Sequence, residues 1–229
     1  MSTATTLYTH NEFIRPIVAE CLLKYFKSDI KIAEITQDSN RYLEKFPVRT
    51  VPGLLFNDGT ILFEQIAVTR YIIKNSRNET EITQLLGSKS EFKHQSEIDM
   101  FCSFCTSDFL NRLVDYCLHD LKGITIPQDE ATAANEKLEA MYPIFEQKLQ
   151  KHKYLTGNVI TLADLIAASS FSLGFRSMLG SEWRGEHSLI ADWFNNVIQS
   201  EYMKARFQDF KYSIEPHRII EQCLPWDKN

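Results

Sequence analysis

The sequence predicts an α/β module followed by an all-helical half, and three observations carry that prediction. Apolar residues in the first third switch between strand and helix spacing in the order βαβαββα. An Asn57-Asp58-Gly59-Thr60 segment, with the strong hairpin signal Asp-Gly, sits late in that module. Beyond it, from Phe92 on, the apolar residues recur at helical spacing and no alternating strand pattern intervenes.

Each element has its own warrant. Thr5 to Thr9 reads as a short strand, and Pro16 opens a helix whose Ile17, Val18, Cys21, Leu22, Tyr25 and Phe26 fall on one face. Ile30, Ile32 and Ile35 suit a second strand, parallel to the first because a helix separates the two. A short helix around Asn40 to Phe46 follows. Leu54 to Phe56 and Ile61 to Phe63 flank the Asp-Gly turn as an antiparallel pair. Glu64 to Lys74 is again helical, with Glu64 in the first turn, where the helix dipole favours an anion.

Residues 1–75 therefore form the first domain, the polar stretch 76–88 a linker, and residues 89–229 a second, all-helical domain. In that second half Phe92 to Leu121 and Ala131 to Leu149 read as helices. Thr161-Leu162-Ala163-Asp164 is a capping box, with Ile160 and Leu165 placed as its hydrophobic staple, so a buried helix begins there. Trp183, Trp193, Phe194 and Phe207 suggest short helices packed through aromatic surfaces; from Tyr212 onward no period is clear.

Composition narrows the function. The 229 residues are 44% hydrophobic and 24% charged, an ordinary globular balance. A net charge of -5 and a pI near 5.7 argue against a nucleic-acid binder, which needs a concentrated basic surface. The first six residues have no basic or apolar leader character, and no run approaches ~18 apolar residues, so a cytoplasmic protein without a membrane span is expected. Cys21, Cys102, Cys105, Cys117 and Cys223 are odd in number and mostly within helical patterns, which predicts reduced thiols and no bridges. Cys102 and Cys105 lack a second pair to complete a zinc site, and no metal is expected.

A βαβαββα module with Val51-Pro52 before its third strand and an acidic residue after its fourth, followed by a helical domain with a T-x-x-D box, resembles cytosolic glutathione S-transferases. The resemblance is greatest to the transferase-like N-terminal region of the gamma subunit of translation elongation factor 1B, in its fungal form. It is carried by Thr6-Leu7-Tyr8, Leu85-Leu86-Gly87-Ser88, Ile160 to Leu165, and Leu179-Gly180-Ser181-Glu182-Trp183-Arg184 with Trp193-Phe194-Asn195. It extends to roughly Phe210. The elongation-factor subunit continues through a lysine-rich linker into another domain, whereas this sequence stops at Asn229, so it resembles a free-standing relative or the N-terminal part of such a subunit.

The resemblance implies a thioredoxin-like first domain with a cis Val51-Pro52 bond and a glutathione-transferase second domain. It also implies a groove in which the Val51 backbone pairs with glutathione beside Pro52. Glu64 would meet the γ-glutamyl ammonium and the helix start its carboxylate, with Gln65 where active transferases usually carry serine. The same two residues also fit a plain helix-terminal charge and a surface amide. For activating the thiol, Tyr8 aligns with tyrosine-type enzymes, and Thr9 and His10 are alternatives; the serine-type position falls near Glu12 or Phe13, which cannot serve. Tyr8 equally fits a buried strand aromatic, His10 a loop residue, and Arg15 either an anion-stabilising group or a solvated helix-start charge. Two functions stay open: an interaction module linked to translation elongation with little or no catalysis, or a transferase or peroxidase joining glutathione to small electrophiles. A homodimer and contact with elongation factor 1B subunits are the implied partners.

Overall fold

A computed structural model describes residues 5–121 and 123–221. The first domain contains β1 (Thr6–Thr9), α1 (Ile17–Tyr25), β2 (Lys31–Glu34), α2 (Ser39–Lys45), β3 (Gly53–Leu55), β4 (Ile61–Phe63) and α3 (Gln65–Asn75), the order the sequence predicts. The sheet runs β2-β1-β3-β4. β1 lies parallel to β2, with Leu7 opposite Ile32, and antiparallel to β3, with Leu7 opposite Leu54; β3 and β4 close the hairpin. Its turn holds because Gly59 takes φ +88° and the Thr60 N–H donates to Asp58 Oδ1 at 2.9 Å.

Strand alternation divides the first domain into two cores. Leu7 and Leu54 join the large one, with Val18, Leu22, Val68 and Ile72 from α1 and α3. Tyr8 and Leu55 join a small one with Ile35, Tyr42 and Phe46. Gly53 lets the Phe46 ring approach the sheet, since a Cβ there would stand 2.6 Å from Phe46 Cε1.

Residues 76–88 are not a bare connection. They contain α4 (Glu79–Leu86), capped by the Asn78 side chain, which accepts from the Glu81 N–H at 3.3 Å. Its apolar face is only Ile82, Leu85 and Leu86, too short a repeat to stand out from the polar residues around it.

The second domain contains α5 (Phe92–Phe104), a π-helical turn (Cys105–Phe109), α6 (Leu110–Cys117), β5 (Leu118–Leu121), β6 (Ile124–Thr125), α7 (Gln128–Leu149), α8 (Leu162–Phe175), α9 (Ser181–Glu186), α10 (Ser188–Ile198), α11 (Lys204–Phe207) and β7 (Ile219–Ile220). It is helical as expected, with one addition: a small sheet of order β6-β5-β7. The helix expected to reach Leu121 stops at Cys117, because Leu118 and Leu121 fit helical spacing in sequence but belong to β5. β7 lies in the stretch without a period and pairs with a strand about a hundred residues earlier.

Every residue of α8 is buried, and Asp164 anchors it. Its carboxylate accepts from the Thr161 N–H, the Leu155 N–H and Trp193 Nε1, each at 2.9 Å. Cys21, Cys102, Cys105 and Cys117 are free and buried, while Cys223 lies outside the described residues. Burial pushes the Cys21 and Cys117 thiols up to about 12 and Cys105 well above its usual value, so none is a nucleophile at neutral pH. Among the described residues no cluster could hold a metal ion, and no helix is long and apolar enough to cross a membrane.

Candidate functional site

The two domains meet across a cleft of about 680 Å³. The first domain lines it with Phe13, Ile14 and Arg15 before α1, with Arg49, Thr50 and Val51, and with Glu64 and Gln65 where β4 passes into α3. The second adds Leu110, Asn111 and Val114 of α6, Leu118 and Leu121 of β5, Leu173 and Arg176 at the end of α8, and Ile219 to Glu221. The Val51–Pro52 peptide is cis. Among the described residues neither the N–H nor the C=O of Val51 takes a backbone partner, so both remain available to an extended ligand.

Glu64 differs from the first-turn residue the sequence predicts. It precedes the helix as its cap residue, at φ +74° and ψ +129°. A glutamate in that region is strained by about 1–3 kcal/mol, and such strain clusters where a side chain must be aimed. The following N–H groups have no intrahelical acceptor and face an anion-favouring end. Gln65 is only 3% exposed, and neither its Nε2 nor its Oε1 has a hydrogen-bond partner. Burying an amide without partners costs about 1–3 kcal/mol for each group left unmade.

The thiol-activating candidates lie elsewhere. Tyr8 is fully buried beneath α2, donates its hydroxyl to Asp38 Oδ2 at 2.9 Å and is pushed up to about 12, chiefly by burial and then by Asp38. A phenol so held neither lines the cleft nor ionises near neutral pH. Thr9 is buried with its hydroxyl donated to Glu20, itself a carboxyl whose range burial raises. His10 is buried against Phe13, at 4.3 Å between ring centroids, and its Nδ1 accepts from the Glu12 N–H at 3.3 Å. Strand alternation explains Tyr8: the side chain opposite in sense to Leu7 must enter the small core.

Arg15 does reach the cleft, fixed by donating to the Thr106 carbonyl at 3.3 Å and to Asn111 Oδ1 at 3.0 Å. The Thr106 carbonyl belongs to the π-helical turn, the kind of irregularity that opens backbone groups at sites. Burial lowers the Arg15 range, with Glu64 and Glu221 opposing. Two cleft cations, Arg49 and Arg176, escaped the sequence reading. Arg176 had a signal: it is the charge that closes the long apolar run of α8.

A four-stranded sheet with a cis-proline beside a helix start, facing a helical domain across a cleft, defines the glutathione S-transferase fold. The family models of the glutathione S-transferase N-terminal and C-terminal domains match residues 3–74 and 94–201. The chain is 34% identical over 211 residues to the putative elongation factor 1 gamma homolog of Saccharomyces cerevisiae, across 90% of this chain and 94% of that protein. With elongation factor 1-gamma 1 of the same yeast it shares 32% identity over 211 residues, 92% of this chain but 51% of that one. It thus spans about half the length of that subunit. The crystal structure of the GST-like domain of elongation factor 1-gamma from Saccharomyces cerevisiae superposes with a TM-score of 0.84 at 32% identity, covering 96% of this chain and 100% of that one. The chain belongs to the elongation factor 1-gamma family of glutathione S-transferase-like proteins.

Proposed function

We propose that this chain is an interaction module of translation elongation that binds glutathione and does not efficiently activate it. The observation that carries this reading is the division of the cleft's resources. Val51, Glu64, Gln65 and the start of α3 form a groove for a peptide carboxylate and ammonium, while Tyr8, Thr9 and His10 are committed to other partners. Binding energy without a group that lowers the thiol's pKa yields a complex, not turnover. Bound glutathione would satisfy the Gln65 amide and hold the two domains together. Elongation factor 1B subunits and a second copy of the chain are the partners, and the cytoplasm is the compartment.

The expected result is retention of the chain on immobilised glutathione, with chlorodinitrobenzene turnover within about twofold of the uncatalysed rate. The same preparation should capture the nucleotide-exchange subunit of elongation factor 1B at micromolar concentration. Turnover well above background with a pH dependence near neutrality would favour the transferase reading instead, and failure of both captures would end the proposal.

A further inference from the structure

The hairpin of the first domain ends in two sets of unmade hydrogen bonds. Its register, Gly53 opposite Phe63, carried two residues further sets Val51 against Gln65, so the two stand side by side on the cleft wall. Among the described residues Val51 offers a backbone N–H and C=O without backbone partners, and Gln65, 3% exposed, offers an amide Nε2 and Oε1 without partners. Each is a donor beside an acceptor, the complement of a peptide unit. A carboxylate satisfies only the donors, since it has no hydrogen to give. The cations of this wall do not favour one either. Arg15 is held by the Thr106 carbonyl and Asn111, with Glu64 and Glu221 acting on its charge, and Arg49 is exposed to solvent, where an ion pair is worth little.

We propose that the groove takes an internal segment of a partner protein as an added strand, its main chain pairing with Val51 and one of its peptide units bonding both ways to the Gln65 amide. The inference rests on the groove described for glutathione and widens its ligand from a free tripeptide to an uninterrupted chain. Its occupant is extended and needs no free terminus. Glutathione and the partner segment compete for the same groups on Val51 and Gln65. Glutathione thereby governs how much of this surface is open to the partner.

The test selects displayed random nonapeptides on the full chain, flanked by glycine-serine spacers so that neither end is free. Enriched sequences are resynthesised with acetyl and amide ends and titrated by fluorescence polarisation. Enrichment is expected, with the peptides displaced by saturating reduced glutathione. Gln65→Leu should weaken them about tenfold. In a scan of backbone N-methylation, one position should cost about tenfold on the wild type and less than about twofold on Gln65→Leu, which isolates the peptide N–H given to Oε1. Absence of any enriched peptide overturns the inference, and so do peptides that stay bound while glutathione occupies the chain; neither result needs a variant to fold. Equal affinity for wild type and Gln65→Leu overturns it as well. Peptides that bind with this Gln65 dependence to a chain not retained on glutathione would remove the glutathione reading alone. Glutathione retention without peptide enrichment would remove this inference alone.

Discussion

Two helices of this molecule start in opposite ways. At the head of α8, Asp164 is fully buried and accepts from four donors, the Thr161 N–H and hydroxyl, the Leu155 N–H and the Trp193 indole, and although burial pushes its carboxyl upward the hydrogen bonds oppose that shift. At the head of α3, Glu64 sits at positive φ and the adjacent Gln65 amide is buried with no partner. The first terminus is closed and belongs to the architecture. The second is incomplete by itself, which is what the proposed glutathione groove would require. Burial alone does not separate a structural polar group from a functional one; the state of its hydrogen bonds does.

The contrast breaks most visibly at Asp164. Asp164→Ala leaves the Leu155 and Thr161 N–H groups and the Trp193 indole N–H without acceptors, at a cost of about 3–5 kcal/mol. Thermal unfolding should drop by on the order of 10 °C. A shift of a degree or two would mean that the network is dispensable. Gln65→Leu should act in the other sense, since it keeps the volume and removes the unpaired amide. Denaturation should show stability unchanged or raised by about 1–2 kcal/mol, with glutathione retention reduced. A destabilised variant would place Gln65 with Asp164 as an architectural group.

The smallest effect concerns Tyr8. Folding raises its phenol from the usual 10.0 to about 12, so its contribution to stability is complete below pH 10.0 and is lost as the pH climbs toward 12. Wild type and Tyr8→Phe should therefore keep a constant difference in denaturation midpoint up to pH 10.0 and converge above it. Convergence near neutral pH would instead reveal a phenol able to activate a thiol.

What the sequence made legible is what depends on neighbours along the chain. The Asp58-Gly59 turn, the Thr161–Asp164 box and the αβ order all arise from local spacing, and each is present. The cis Val51–Pro52 bond followed from the family resemblance rather than from any local signal. The rest is set at a distance. Tyr8 fits a site residue and a buried strand aromatic equally until the face of its strand is known. Gln65 shows its missing partners only in three dimensions. β7 joins β5 across roughly a hundred residues, a pairing that two-residue strands cannot announce by alternation.

That last pairing also sets a timetable. The cleft wall at Val51, Glu64 and Gln65 belongs to the first domain, whereas its outer wall comes from Ile219, Ile220 and Glu221. During synthesis on the ribosome the first domain emerges while most of the helical domain is still to be made, and the outer wall emerges only after α5 to α11. The cleft thus lacks its outer wall until the last described strand has been made.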